Sequence, residues 1–208
     1  MSRIILVLLV GVMALSGQSV SPAGPPPSEL SPEIAAALAK EGHAIKGADG
    51  QVYAEIWFRS GSVDGAPSTE LDVTWNTVPH GTLIGAIRYA GEGEDRRGQK
   101  LAPGVYTLRF SFYPVDGAHM GVEPSRDFLI LSRGDEDKDP STTPDFKALM
   151  DMSRKASGTQ HPASLPCWKV DPGDWKAGLE ASGEDWILSV KIGDTPISVI
   201  VKGVNAHG

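Results

Sequence analysis

Trp186-Ile187-Leu188-Ser189-Val190-Lys191-Ile192-Gly193-Asp194-Thr195-Pro196-Ile197-Ser198-Val199-Ile200-Val201-Lys202 holds two alternating runs, Trp186 to Ile192 and Ile197 to Lys202, on either side of a Gly-Asp pair. A Gly-Asp turn between two runs of period two is the signature of a tight hairpin, so these runs pair antiparallel. Runs of the same character occur at Val52 to Arg59, Thr82 to Tyr89, Val105 to Tyr113 and Asp127 to Leu131, most of them bounded by Gly, Pro or Asp. The strictest alternation is Glu70-Leu71-Asp72-Val73-Thr74-Trp75-Asn76, which predicts a half-buried strand with Leu71, Val73 and Trp75 on its apolar face. At least seven strands are expected.

One helix interrupts the strands. Thr143 is placed to cap it, Pro144 suits its first position, Asp145 complements the helix dipole and Gly158 closes it. Phe146, Leu149, Met150 and Ala156 then form one apolar stripe, with Met150 packed and Met152 in solvent. A second, short helix starts at Ser31-Pro32-Glu33, an N-cap followed by proline and an acid, and ends near Gly42. Strands on both sides of a lone helix, without the strand-helix alternation of a parallel sheet, predict a mainly β fold. The expected form is an antiparallel β-sandwich, Ig-like or jelly-roll-like, with one packed helix. Trp57, Trp75, Trp168, Trp175 and Trp186 are expected in the core or at sheet edges.

Arg3 precedes the apolar run from Ile4 to Leu15, and the small residues Ser16 and Gly17 follow it. That order reads as a secretory signal peptide, and the run is far below the roughly 20 residues that span a bilayer. The expected organisation is a signal peptide at 1–17, a Pro-rich linker at 18–30, a short N-terminal helix at 31–45 and a single β-sandwich domain at 46–205. The protein is therefore expected to be secreted or periplasmic, with no integral membrane segment after signal cleavage. A formal charge of -7 without any cluster of basic residues argues against nucleic acid as a partner. Cys167 is the only cysteine, so no intramolecular disulfide forms and the thiol is expected to be buried as a small hydrophobe. No Cys-x-x-Cys-His is present for covalent haem.

The chain contains no Gly-x-Ser-x-Gly elbow, no His-Glu-x-x-His and no phosphate-cradling glycine loop. Glu92 and Glu94 lie in a glycine-rich stretch of mixed charge that reads as a solvated turn. Asp135-Glu136-Asp137-Lys138-Asp139-Pro140 offers alternating carboxylates, but Pro140 stands where a calcium loop needs glycine and Phe146 where it needs glutamate. The segment richest in metal-ligand types is Asp116-Gly117-Ala118-His119-Met120-Gly121, followed by Asp127. A second loop carries His161. His119, His161, Asp127 and Met120 form the candidate metal site, with copper, zinc or iron as the ions those ligands accept. A type-1 copper site is not expected, because Cys167 is followed by Trp168-Lys169-Val170-Asp171 and not by histidine and methionine. The same residues have plain structural readings. His119 would bond a loop backbone, His161 would complement the helix end, and Asp127 would pair with Arg109 or Arg126.

Gly98-Gln99-Lys100-Leu101-Ala102-Pro103-Gly104-Val105-Tyr106-Thr107-Leu108-Arg109 resembles a stretch of secreted bacterial all-β proteins of unknown function, in which a Pro/Ala-Gly-x-Tyr-Thr-Leu strand begins after a turn. The resemblance implies the fold class and the address, and no catalytic residue. The expected function is a non-catalytic binding or interaction module that presents a protein, carbohydrate or small-molecule site on its loops. A metal-binding protein using His119 and His161 is one alternative. A carbohydrate-binding module with Trp57, Tyr53 and Trp175 in an exposed row is the other.

Overall fold

Each run predicted by alternation, apart from residues 70–76, is a strand in the computed structural model, which describes residues 17–115 and 125–204. In chain order the elements are β1 (Ser19–Pro22), α1 (Pro32–Ala37), β2 (His43–Lys46), β3 (Val52–Phe58), β4 (Leu83–Tyr89), β5 (Gly93–Glu94) and β6 (Lys100–Leu101). They continue with β7 (Gly104–Phe112), β8 (Asp127–Arg133), α2 (Phe146–Ser157), β9 (Ser164–Lys169), β10 (Gly178–Ser182), β11 (Asp185–Ile192) and β12 (Thr195–Lys202). β11 and β12 form the expected hairpin, with Ile192 opposite Thr195 and Gly193 at φ 59° in the turn. The signal peptide expected at 1–17 falls, but for Gly17, outside the described residues.

The fold is mainly β and antiparallel, but its strands do not part into two separate sheets. Ten of them form one sheet in the order β1-β2-β3-β4-β7-β8-β9-β12-β11-β10, while β5 and β6 make a small ribbon of their own. β9 changes partner along its length: Ser164, Leu165 and Pro166 pair with β8, whereas Cys167, Trp168 and Lys169 pair with β12. A strand that changes partner midway is how a sheet turns a corner. The result is nearly a barrel. The first and last strands, β1 and β10, bring Cα atoms within 8 Å of each other, but no ladder joins them.

Alternate residues fill the interior. Ile45, Ile56, Ile87, Leu108, Leu129, Leu165, Leu188 and Val199 are all buried in one cluster, to which Cys167 contributes its thiol. Burial pushes that thiol's pKa well above its usual range, with Asp127 adding to the effect. The outer face is covered in two places. α1 lays Ile34, and its C-cap residue Leu38, over Trp57, Leu83, Ala86 and Val105, and α2 lays Leu149 and Met150 over Phe128 and Ile130. Between them lies Arg109 on β7, with none of its surface exposed. Its Nε and Nη2 donate to the two Asp137 oxygens at 2.7 Å each, and its remaining donors go to the carbonyls of Gly81, Asp139 and Thr142. Asp137 of the acidic run thus serves as a counter-ion that clamps the loop before α2 onto the sheet.

Residues 70–76 are turns and not a strand, and Asp72 sits in the left-handed region at φ 58°. Val73 and Trp75 are buried and Leu71 is 75% exposed, so the inward and outward alternation is broken at Leu71. The backbone N–H groups of Thr74 and Trp75 donate to the Asp127 carboxylate, at 3.2 and 2.8 Å, in place of a neighbouring strand. The segment is a plug that closes one end of the barrel, and Trp75 packs edge-on against Phe110 inside it. Residues 18–30 are likewise packed and do not form a free linker. β1 pairs with β2, the Ala23 N–H donates to the Gly42 carbonyl and the Gly42 N–H to the Gly24 carbonyl, and the Trp57 indole donates to the same Gly24 carbonyl at 2.8 Å. α1 starts at its expected cap, Ser31, but ends at Ala37, five residues short of Gly42. Leu38 turns extended to bridge Arg59, and residues 43–46 become β2. α2 is capped by Asp145, not Thr143, and closes on Gly158 as expected.

Candidate functional site

Among the described residues, the seam between β1 and β10 is where the wall of the barrel lacks a hydrogen-bonded neighbour. Its gap follows from strand length. β10 pairs with β11 only from Ser182 opposite Asp185 to Gly178 opposite Ser189, which leaves the β11 edge from Val190 to Ile192 without a partner there. The chain upstream of Gly178 takes no regular structure at Trp175 and Ala177, and on the far side β1 ends at Pro22 opposite His43. A cleft of about 320 Å³ occupies the notch, lined by Val20, His43, Trp175, Ala177, Gly178, Leu188, Ser189, Val190 and Lys191.

The cleft joins the apolar interior to a few polar groups. Leu188 and Val190 belong to the barrel core, and Val20 packs against it. His43 lies 6.2 Å from the Phe58 ring, and burial lowers its pKa below the ordinary imidazole value while Glu41 works in the opposite direction. The imidazole is therefore neutral at pH 7. Trp175 forms one wall, with the Lys191 ammonium 4.8 Å from the centre of its ring. The indole N–H of Trp175 is shielded from solvent and has no acceptor among the described residues. Ser189 is already engaged with Ser198 at 2.7 Å. An apolar slot with a few converging polar groups is the usual make-up of a small-molecule site, and its volume falls at the low end of their ~300–1,000 Å³ range.

A second groove, of about 350 Å³, lies at the plugged end between Phe112, Pro114, Val115, Phe146, Glu70 and Arg126. Its charges satisfy one another. Arg126 pairs with Glu70 at 3.2 Å and also donates to the Tyr113 and Leu71 carbonyls, so the groove offers a ligand little that is unmet.

The metal-site residues are not brought together as far as they are described. His119 and Met120 lie outside the described residues. Asp127 opens β8 at the plugged end, wholly buried, where its oxygens also accept from the Thr74 hydroxyl. Among the described residues it makes no direct ion pair with Arg109 or Arg126. Burial raises its carboxyl pKa, and the Thr74 and Trp75 donors and the charge of Arg126 hold part of that rise back. His161 is exposed in the loop after α2, which returns to the sheet at the opposite end of β8, where Ala163 bonds Leu131. Among the described residues no group of three or more His, Cys, Asp and Glu side chains could hold a metal ion.

The aromatic row is not assembled either. Trp57 is fully buried beneath α1. Tyr53 packs against Tyr89 and Trp186, and the Lys202 ammonium lies 4.8 Å from both the Tyr53 and Trp186 rings. Of the three, Trp175 lines the seam cleft. No sequence signal marked the remaining cleft residues, because they come from four separated segments between Val20 and Lys191. Comparison with known proteins adds no relative: no family model, no curated protein and no solved structure matches the chain.

Proposed function

We propose that this chain is an exported, non-catalytic binding protein whose ligand is a small molecule held in the cleft at the β1–β10 seam. The observation that carries the reading is the notch itself, where core side chains meet His43, the unpartnered Trp175 indole and Lys191. The absence of any reaction motif from the sequence supports binding over catalysis. Export rests on Arg3, the apolar run and the small residues after it. The weak likeness of residues 98–109 to secreted all-β proteins points the same way. No helix among the described residues is long and apolar enough to cross a membrane. In this reading the barrel is a flattened one, its walls packed across the interior as the sheets of an Ig-like or jelly-roll-like sandwich are.

The test uses the form recovered from the periplasm of an expressing bacterium, whose intact mass reports whether the segment near residue 17 has been removed. Titration with the neutral fluorophore N-phenyl-1-naphthylamine should show saturable, one-site binding. Ala177→Trp, which fills the cleft from an exposed position, should abolish the binding and leave the melting temperature within a few degrees. Undiminished binding in that variant, or none in the wild type, would overturn the reading.

A further inference from the structure

We propose that the seam cleft takes a small apolar carboxylic acid as its anion, with the carboxylate on Lys191 and the apolar body against Val20, Leu188 and Val190. This rests on the seam cleft being the binding site and adds the chemistry of its occupant. The chain carries 26 acidic residues, yet none lines the cleft. Two of the polar side chains there, the Lys191 ammonium and the Trp175 indole, can only donate, while the neutral His43 imidazole offers one donor and one acceptor. Lys191 has no carboxylate partner among the described residues, its interaction being with the Trp175 ring. The Trp175 indole N–H can only donate, and it has no acceptor. The Ser189 hydroxyl is committed to Ser198. Glu41, beside His43, is the acidic group whose charge is felt on that flank, and it lies outside the lining.

A ligand that complements this set brings an acceptor, best a charged one, because hydrogen bonds to an ionised group are about twice as strong as neutral ones. It also brings an apolar body, since an ammonium and an indole at the mouth of a slot floored by Leu188 and Val190 offer few polar partners further in. An extended peptide fits less well. Adding a strand between β1 and β10 needs about twice the ~4.8 Å strand spacing, and these strands already bring Cα atoms within 8 Å.

The discriminating pair is naphthalene-2-carboxylate and naphthalene-2-carboxamide, equal in shape and different in charge. Calorimetric titration at low salt should show the carboxylate binding wild type about tenfold more tightly than the amide, as one charge-assisted hydrogen bond would give. Lys191→Gln should erase that preference, and added salt should narrow it in the wild type. Equal affinities in the wild type, with both ligands excluded by Ala177→Trp, would overturn the carboxylate and leave the cleft as the site. Binding of neither ligand would overturn the cleft as well. So would binding of an unstructured peptide alone, with slowed amide exchange along β1 and β10.

Discussion

Strands β4, β7 and β8, of 7, 9 and 7 residues, are paired on both sides and largely buried, while β1 and β10, of 4 and 5 residues, each have one neighbour. The long strands lie beneath α1, α2 and the loop clamped by Arg109; among the described residues no helix covers the seam strands. A strand buried on both faces needs partners for the polar groups it hides, and Arg109 finds them in two bonds to Asp137 and in backbone carbonyls, whereas the hydroxyls of Tyr89, Ser111 and Ser132 on the same strands find none among the described residues. The seam avoids that requirement because its open edges face water. Local stability should therefore fall steeply from the β7 wall to the seam, and a cleft at the weakest edge is where a ligand meets least resistance from packing.

The severest challenge to this contrast is Arg109→Ala. It leaves Asp137 buried without its counter-ion and three carbonyls without donors, and should cost about 3–5 kcal/mol in urea unfolding. A loss under 1 kcal/mol would mean that the outer face is not the dry wall described. A matched pair of truncations sharpens the same point. Leu129→Ala in the interior should cost about 3 kcal/mol, and Leu179→Ala on half-buried β10 about 1 kcal/mol. Equal costs would erase the gradient between wall and seam.

The smallest effect is a pH dependence at the plugged end. Burial raises the Asp127 pKa, so the folded state holds that proton more tightly than the unfolded chain does. Asp127 therefore contributes stability that is fully present below the unfolded carboxyl pKa and is lost as pH rises through the folded one. As pH falls from 7 toward 4, wild type should gain stability relative to Asp127→Asn, measured as the difference between their urea midpoints. A constant difference would show that the Thr74 and Trp75 donors fully offset the burial.

The sequence makes the wall legible and the seam almost not. β3, β4, β7, β8, β11 and β12 announce themselves because period two over five or more residues is a local property. β9 does not, since Pro166 lies within it and its two halves serve different neighbours. β1 and β2 are short, and their place is fixed by distant bonds such as that from Trp57 to the Gly24 carbonyl. Residues 70–76 mislead for the opposite reason. Their alternation is real, but Asp72 bends the backbone and Asp127, more than fifty residues away, takes the N–H groups a strand partner would need. The candidate site suffers most, because a notch made by the different lengths of β10 and β11 has no local sequence signature. Trp175 alone among its residues stood out as an aromatic candidate.

The central claim is that the ligand site lies in the β1–β10 seam, and a backbone amide map of the ¹⁵N-labelled mature protein titrated with naphthalene-2-carboxylate tests it most directly. Shifts confined to Val20, His43, Trp175, Gly178 and the stretch from Leu188 to Lys191 are the predicted result. Shifts centred on Phe112, Arg126 and Phe146 at the plugged end, or no shifts at saturating ligand, would contradict it.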